Sequence, residues 1–443
     1  MVWLGMLALA LGMLVLRQSL VLVLAMVTVY IHVFVADGKV EYLIQDFWFA
    51  ADREVLLSIP LFMLAGNVMS RGSIARRLVN FMHAFTSPIP GGLAVAAVLS
   101  CAAFAAINGS SIVTMLAIGS IMYPALTASG YSERFAVGAI ASAGTLGIII
   151  PPSIPLILYG IMTDVNIAHL FLAGVGPGLL LMAMFAGYSF WVNRKMPREP
   201  FSAAGAWRAT LGGILAIALP VIMMGGIYTG RFSPTEAGAV ALAYALVIEF
   251  FVHARAETLP APAGTGPVGR LKHHLATREM DLRLLGTVVL ETSRLLAILL
   301  PLLCIASSLN TILDHSGAPK QMVQHLIGNI DSPWVIMVGI NLLLLVAGCV
   351  MDVGSAILIF APLLKPLAQS IGVDPVHFGI IMISNLEIGY LTPPVGLNLI
   401  VAMAAFKVSF GTVIRSVQPF IAIMAAWLVL VIVYPAISLF LLR

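Results

Sequence analysis

Paired prolines interrupt long apolar runs at two places in the chain, GTLGIIIPPSIP at residues 144–155 and NLEIGYLTPPVGLN at residues 385–398. Proline has no amide hydrogen and clashes with the carbonyl group four residues earlier, so two consecutive prolines unwind a helical turn. In lipid, the freed carbonyl groups are unfavourable unless protein, water or an ion satisfies them. The two stretches therefore predict a pair of broken transmembrane helices that line a site.

The composition places the rest of the chain in a membrane. Of its 443 residues, 60% are hydrophobic and only 9% are charged, whereas soluble proteins spend about a quarter of their residues on charge. Runs nearly free of charge, at 167–192, 284–309 and 411–442, are long enough to cross about 30 Å of hydrocarbon as helices. We therefore predict an all-α polytopic membrane protein. The net charge of +4 comes from basic residues in short inter-helix segments, which indicates membrane topology and no nucleic-acid partner.

The landmarks of the first half recur in the same order in the second half. The Gly-Ser pair at 109–110 corresponds to that at 354–355, and the Pro-Pro pair at 151–152 corresponds to that at 393–394. Each half contains a spanning segment, an amphipathic segment, two short apolar runs around Gly-Ser, and the run that Pro-Pro breaks. The short runs are marginal for spanning, so they predict two re-entrant hairpins with Gly-Ser at their tips.

The charged residues predict the orientation of the two halves. If each hairpin returns to its own side, the basic residues at 71–77, 194–198 and 270–283 all face the cytoplasm, the side that favours Lys and Arg. The acidic segment 37–54 then lies outside. The second half begins inside and the first begins outside, so the halves are inverted-topology repeats.

This organisation divides the chain into four parts. Residues 1–54 hold N-terminal anchor helices and a periplasmic segment, and 55–193 form the first repeat, with an arm helix, a hairpin and a broken helix. Connecting helices and a basic cytoplasmic linker occupy 194–284, and 285–443 form the second repeat. Apolar residues at helical spacing in 74–85, with polar residues between them, predict an arm helix in the membrane interface.

Oxygen-bearing residues gather at the tips and the breaks. Hydroxyl, amide and carboxylate groups and the freed carbonyl groups of glycines are ligands that a small hard cation accepts. We therefore predict two Na⁺ sites, one per repeat, each between a hairpin tip and a broken helix. The first site comprises Asn108, Ser110, Ser111, Gly144, Thr145 and Gly147, and the second comprises Asp352, Gly354, Ser355, Gly389 and Thr392. The alternatives are helix capping by the two serines and proton binding by Asp352.

The same breaks predict an anion site. The half-helices that begin after Pro152 and Pro394 point free amide groups and the positive end of a dipole toward the membrane centre, where an organic anion fits. Its predicted contacts are Ser153, Gly396, Asn398 and Glu387. For Glu387 three interpretations stay open, namely a ligand, a proton site and a buried partner for a lysine such as Lys365.

Other functional classes fit the sequence less well. An intramembrane serine hydrolase at Ser110 needs a histidine nearby as base, and the histidines fall mostly in polar segments. An aspartyl protease needs two convergent aspartates, and Asp352 has no evident mate in the apolar runs. A channel fits inverted repeats, but paired hairpins with broken helices favour alternating access. We therefore predict a transporter without catalytic residues.

Five motifs resemble the large membrane subunit of the tripartite ATP-independent periplasmic (TRAP) transporters, the DctM-type permease. They occur in the family's order between about residue 55 and the C-terminus. The motifs are IPLFMLAG at 59–66, INGSS at 107–111, GTLGIIIPPSIP at 144–155, PVHFG at 375–379 and LTPPVGLN at 391–398. The second tip departs from the family, because DVGS stands at 352–355 where Asp-Gly-Thr is common.

The resemblance implies an elevator-type secondary transporter that takes up an organic anion, often a carboxylate, coupled to Na⁺. It implies a location in the bacterial inner membrane. It also implies two partners, a periplasmic substrate-binding protein that delivers the anion and a small four-helix membrane subunit. The alternatives are a divalent anion/Na⁺ symporter of a related elevator fold, which needs no binding protein, and an intramembrane hydrolase.

Overall fold

The computed structural model describes residues 2–16, 18–34, 41–198, 200–252, 282–317, 321, 323, 324, 328, 330 and 332–442. Most of the basic cytoplasmic linker predicted within 194–284 lies outside the described residues, which exclude 253–281. Residues 37–40, at the start of the acidic segment, also lie outside them. All regular secondary structure within the described residues is helical, as predicted.

The N-terminal half consists of helices joined by short turns. They are α1 (Val2–Val15), α2 (Leu20–Phe34), α3 (Glu41–Ala51), α4 (Ser58–Arg71), α5 (Ile74–Thr86), α6 (Gly92–Asn108), α7 (Ser111–Ala128), α8 (Glu133–Ala143), α9 (Leu146–Ile149), α10 (Ile154–Thr163) and α11 (Ile167–Val192). A 3-10 turn (Glu54–Leu57) precedes α4.

Two helices connect the halves. The second half begins after residues 253–281, which lie outside the described residues. The connecting helices are α12 (Ala203–Tyr228) and α13 (Pro234–Val247), which runs on into a π-helical turn (Ile248–Val252). The second half contains α14 (Leu282–Ser316), α15 (Pro333–Val350), α16 (Val353–Ser370), α17 (Pro375–Tyr390), α18 (Leu397–Phe406), α19 (Phe410–Val433) and α20 (Ala436–Leu439).

The helices confirm a multi-pass membrane protein. Within the described residues, eight helices are long and apolar enough to cross a membrane, or nine if α4 and α5 count together as one bent span. One of the eight is the broken helix α8–α10, which extends over 31 residues. Large apolar side chains are exposed on the outer faces of such helices, for example Leu211, Ile214 and Val221 on α12. In a membrane these faces meet lipid.

The predicted arm helix of the first half is α5, which meets α4 at an angle of 68°. It buries Ile74 and Leu78 and exposes Arg76 and Asn80, as its amphipathic pattern predicts. Its N-terminus is held by the buried carboxylate of Glu249, which accepts a hydrogen bond from the Ile74 amide at 3.0 Å. A negatively charged group at this end also interacts favourably with the positive end of the helix dipole.

The tips and breaks differ in detail from the sequence prediction. The runs around 109–110 form helices of 17 and 18 residues, slightly longer than their apolar cores. The first broken helix is interrupted twice, at 144–145 and at 150–153, with the short helix α9 between the interruptions. The second broken helix is interrupted once, at 391–396. Both Pro-Pro bonds are cis.

Helix packing places the tips beside the breaks. The hairpin helices α6 and α7 pack against α9, and α15 packs against α17. Helix α18 of the second half packs on α7 of the first half, so the two halves meet at their central elements. Trp427 on α19 is fully buried and donates its indole N–H to the Pro177 carbonyl group on α11 at 2.9 Å.

Candidate functional site

The first hairpin tip lies directly against the first broken helix. Gly109 has a left-handed φ of 63°, and its carbonyl group accepts a hydrogen bond from the Ile154 amide at 3.4 Å. A Cβ atom at Gly109 would lie 2.6 Å from the Pro152 carbonyl oxygen, and one at Gly147 would lie 2.5 Å from the Ser110 carbonyl oxygen. Both glycines are therefore needed for this approach, which brings the backbones of Ser110 and Gly147 together.

The buried side chain of Asn108 fixes the shape of the first tip. Its Nδ2 donates to the Phe104 carbonyl group at 2.8 Å and to the Thr114 hydroxyl at 2.9 Å, and its Oδ1 accepts from the Ser110 amide at 2.7 Å. Sequence reasoning missed Thr114, although it lies one helical turn after Ser110. Amide, hydroxyl and carbonyl oxygens thus converge here, and this donor set fits a hard cation.

Two predicted site hydroxyls satisfy carbonyl groups at the first break. Thr145 donates to the Ser142 carbonyl group at 2.5 Å, and Ser153 donates to the Ile148 carbonyl group at 2.5 Å. Ser153 also accepts from the Leu156 amide at 3.4 Å, so it caps the N-terminus of α10. Both residues are fully buried. Each hydroxyl oxygen keeps lone-pair capacity for a further partner.

The end of α15, just before the second tip, meets the second broken helix. A Cβ atom at Gly389 would lie 2.6 Å from the Gly348 Cα atom, so the two backbones touch. The Gly396 amide donates to the Cys349 carbonyl group at 3.2 Å. A backbone hydrogen bond therefore links the end of a hairpin helix to the residue that begins the following half-helix, as Gly109 and Ile154 do in the first half.

Asp352 has a different environment from the intramembrane ion ligand that the sequence predicts. Its side chain is exposed, and its carboxylate accepts hydrogen bonds from the Ser355 amide at 2.8 Å and from the Ser355 hydroxyl. A Cβ atom at Gly354 would lie 3.1 Å from the same carboxylate. Asp352, Gly354 and Ser355 thus form one cluster in which Asp352 caps α16.

The second break begins later than the sequence suggests. Glu387 and Gly389 lie within the last turn of α17, which ends at Tyr390, rather than in unwound backbone. Thr392 does lie in the break, and its hydroxyl donates to the Ile388 carbonyl group at 2.8 Å. Two prolines at 393–394 remove amide donors only from that point onward, so the helix continues up to the preceding residues.

Ser111, Asn398 and Glu387 meet at a buried junction between the two halves. The carbonyl oxygen of Ser111 lies 3.2 Å from where a Cβ atom on Gly144 would be, but its hydroxyl is oriented toward Asn398. The Ser111 Oγ lies 3.4 Å from the Asn398 Oδ1 and 3.3 Å from its Nδ2. The Asn398 Nδ2 donates to the Glu387 Oε1 at 2.9 Å. Two predicted anion contacts are thus joined to a predicted Na⁺ ligand.

Lys365 is not the partner of Glu387. It belongs to a set of donors at the C-terminus of α10, where the last carbonyl groups, at 161–163, each accept from a different element. Arg53 donates to the Ile161 carbonyl group at 3.0 Å, and Asn310 donates to the Met162 carbonyl group at 3.5 Å. Lys365 donates to the Thr163 carbonyl group. Positively charged side chains near a helix C-terminus interact favourably with the negative end of the helix dipole. Sequence reasoning missed these contacts, because the donors are distant in sequence.

A polar cavity of about 230 Å³ adjoins this helix end. Its lining comes from α3, α14 and the end of α10, and the polar lining residues are Asp46, Arg53, Asp164, Ser307, Asn310, Thr311, Asp314 and His315. Within the described residues, no group of three or more His, Cys, Asp or Glu side chains could hold a metal ion. An ion held by these described residues therefore depends on hydroxyl, amide and backbone oxygens together with at most isolated carboxylates.

Comparison with known protein families gives a match over nearly the whole chain. The model of the family described as "Tripartite ATP-independent periplasmic transporter, DctM component" matches residues 4–437. The match begins well before residue 55, where the sequence motifs begin to show the resemblance.

Three relatives illustrate the range of similar proteins. The C4-dicarboxylate TRAP transporter large permease protein DctM of Pseudomonas aeruginosa is 39% identical, over 88% of this chain and 86% of that protein. The isethionate TRAP transporter permease protein DctMQ of Oleidesulfovibrio alaskensis is 35% identical, over 92% of this chain and 61% of that protein. The ectoine TRAP transporter large permease protein TeaC of Halomonas elongata is 32% identical, over 98% of both chains.

A solved structure shares the overall fold. The crystal structure of the Alcanivorax borkumensis YdaH transporter superposes with a TM-score of 0.59 and 15% sequence identity. The superposition covers 91% of this chain and 90% of that chain. At this identity the likeness concerns the arrangement of helices alone.

Proposed function

The chain belongs to the family of DctM components of tripartite ATP-independent periplasmic transporters, and from this we propose that it drives Na⁺-coupled uptake of an organic anion across the bacterial inner membrane. The family assignment makes it a large permease subunit. Its relatives are transporter subunits and not enzymes, so the prediction of no catalytic function is confirmed and the hydrolase alternative is set aside.

The observation that carries the Na⁺ proposal is the contact between tip and break in each half. In the first half the Gly109 carbonyl group bonds to the Ile154 amide, and in the second the Cys349 carbonyl group bonds to the Gly396 amide. We propose a Na⁺ site beside each contact, with the oxygens of the first tip and of the Asp352 cluster as ligands. An ion that binds tip and break together favours the conformation in which both are in place.

We propose that the anion lies at the N-termini of α10 and α18. Both half-helices begin shortly after their Pro-Pro pairs, at Ile154 and Leu397, and Ser153 and Gly396 stand at their N-caps. Their amide groups and dipoles favour a negative charge. Because the tips pack against the same segments, Na⁺ binding at the tips would complete the anion site. This coupling raises the affinity for the anion when Na⁺ is present.

The proposed movement is of the elevator type. Hairpins α6–α7 and α15–α16 and the two broken helices form the transport domain, which slides against a scaffold that includes the arm helix α5. The recurrence of the same element order in both halves and the packing of α18 on α7 support inverted repeats with re-entrant hairpins. In transporters with inverted repeats one domain moves largely as a rigid body against the other, and in the movement proposed here the sliding domain carries the ion and anion sites with it.

We propose that the chain works with a periplasmic substrate-binding protein and a small membrane subunit. The relative from Oleidesulfovibrio alaskensis carries the letters M and Q in one protein name, and this chain matches only 61% of its length, which supports a separate Q-type partner here. The substrates in the relatives' names are a C4-dicarboxylate, isethionate and ectoine. Two of these three are organic anions, which supports an organic anion as substrate.

Reconstituted uptake tests this proposal. The chain and its small subunit would be placed in liposomes, and uptake of labelled dicarboxylates and sulfonates measured with and without the binding protein. We expect uptake that requires both the binding protein and an inward Na⁺ gradient. Uptake without the binding protein would support the divalent anion/Na⁺ symporter instead, and uptake that is equal in Na⁺ and K⁺ would contradict Na⁺ coupling.

A further inference from the structure

Glu387 and Glu249 are both fully buried glutamates, but their surroundings differ. The Glu249 carboxylate accepts hydrogen bonds from the Ser73 and Ile74 amides at 2.9 and 3.0 Å. The Glu387 Oε1 accepts from Asn398, whereas its Oε2 has no hydrogen-bond partner in the part of the chain that the structure describes. Glu387 is therefore a buried acid with an open oxygen.

A buried carboxylate with an open oxygen calls for a positive partner. An isolated buried charge is strongly unfavourable, and buried charges are normally paired or bound to an ion. The ion pairs among the described residues join other side chains, and none includes Glu387. Lys365, the lysine that the sequence offered, donates to a carbonyl group at the end of α10. Glu387 therefore either carries a proton or binds a cation.

The groups around the open oxygen select the class of ligand. The Asn398 Oδ1 and the Ser111 Oγ lie 3.4 Å apart, and the Asn398 amide contacts the Glu387 carboxylate. All three residues are at most 3% exposed. A carboxylate, an amide carbonyl and a hydroxyl are hard oxygen ligands, the kind that small hard cations accept. An organic anion would instead be repelled by the carboxylate.

We propose that Glu387, Asn398 and Ser111 form a third Na⁺ site at the junction of the two halves, separate from the two tip sites. This inference rests on the proposed Na⁺ coupling and deepens it. It also moves the Ser111 hydroxyl from the first tip site to this one, and it changes Glu387 and Asn398 from anion contacts to cation ligands. A Na⁺ ion here binds α7 of the first half and both parts of the second broken helix. It neutralises Glu387 and so favours an anion at the nearby half-helix N-termini.

The test counts bound Na⁺ ions. Radioactive Na⁺ binding would be measured by equilibrium dialysis on the chain purified with its small subunit, for the wild type and for Glu387→Gln. We expect the variant to bind one Na⁺ ion fewer per chain. Glu133→Gln, which removes an exposed carboxylate that accepts from the Tyr123 hydroxyl, is the matched control and should bind as many ions as the wild type.

Two further variants separate binding from folding. Asn398→Ala keeps the Glu387 carboxylate and leaves both tip sites intact, and it should weaken one class of Na⁺ binding about tenfold, because contacts to charged groups are typically worth that factor. Glu249→Gln should lower the midpoint of thermal unfolding and leave the Na⁺ count unchanged. If Glu387→Gln does not fold, the Na⁺ affinity of Asn398→Ala decides the proposal.

The outcomes distinguish this inference from the proposed function. An unchanged Na⁺ count in Glu387→Gln, or unchanged Na⁺ affinity in Asn398→Ala, overturns the third site. If wild-type uptake is nevertheless Na⁺-dependent, the proposed function stands with the tip sites alone. A wild-type chain that binds no Na⁺ and transports equally in K⁺ overturns both.

Discussion

The Ser111 hydroxyl and the Asn398 amide nitrogen lie 3.3 Å apart, although 287 residues separate them in the sequence. Ser111 begins the second helix of the first hairpin, and Asn398 lies in the first turn of the half-helix after the second Pro-Pro pair. The contact means that neither half completes its central polar cluster alone. The contact therefore joins the first hairpin directly to the second broken helix.

The packing of the first tip predicts that alanine lowers the free energy of unfolding by different amounts at two glycines. Gly109 and Gly130 both have positive φ, but only a Cβ atom at Gly109 meets the first break, and nothing lies within 4 Å of one at Gly130. Gly130→Ala should destabilise the chain by about 1–2 kcal/mol through backbone strain alone. Gly109→Ala should lower the free energy of unfolding by at least about 1 kcal/mol more than Gly130→Ala, since the carbonyl group of Pro152 must move.

Thermal unfolding in detergent, followed by intrinsic fluorescence, gives both values. Equal effects of the two substitutions would show that the tip does not rest against the break. We also expect Gly109→Ala, and not Gly130→Ala, to weaken stabilisation by Na⁺.

The cap of the arm helix predicts a strong effect of removing one buried charge. Glu249→Gln replaces a carboxylate that accepts amide hydrogen bonds at the start of α5 with a group that can accept on one atom only. Hydrogen bonds to a charged group are worth about 1.5–3 kcal/mol, so we expect a loss of that order. The measurement is the midpoint of thermal unfolding, and a change as small as that of exposed Glu133→Gln would refute this role.

The contacts at the end of α10 predict that substitutions of the two members of one ion pair change stability by different amounts. Arg53 and Asp164 are 3.5 Å apart, but their side chains are 46% and 83% exposed, so their attraction contributes little. Asn tolerates the positive φ at position 164, and Asp164→Asn should change stability by less than about 0.5 kcal/mol. Arg53→Ala should lower the free energy of unfolding by roughly 1 kcal/mol, because the Ile161 carbonyl group loses its hydrogen-bond donor.

Denaturation of both variants by heat, with Arg231→Ala as a control at another exposed arginine, checks this difference. A larger effect of Asp164→Asn than of Arg53→Ala would mean that the ion pair, and not the helix end, is what matters.

The broken helices and the tips could be predicted from sequence because their signals are local. Proline removes an amide donor wherever it stands, so the pairs at 151–152 and 393–394 locate the breaks. Glycine at 109 allows a left-handed tip, and the two short runs beside it form the hairpin helices. The small residues Gly147 and Gly389 lie where backbones touch, which is consistent with their positions beside the breaks.

The contacts between distant elements could not be predicted in this way. The orientation of Ser111 toward Asn398 depends on how α18 packs on α7, and no spacing in the sequence specifies that packing. The donors Arg53, Asn310 and Lys365 converge on α10 from three different elements. The environment of Asp352 was also unpredictable, since its exposure depends on neighbouring helices rather than on its own apolar run.

The most direct test of Na⁺ coupling compares thermal stability in NaCl and KCl at equal ionic strength. The chain would be purified with its small subunit, and the wild type compared with Ser110→Ala and Thr392→Ala, one variant for each tip site. A ligand that binds only the folded state at about 100 times its dissociation constant adds roughly 2.7 kcal/mol. We predict a Na⁺-specific stabilisation of the wild type that is smaller in both variants. Equal stability of the wild type in the two salts would contradict the account.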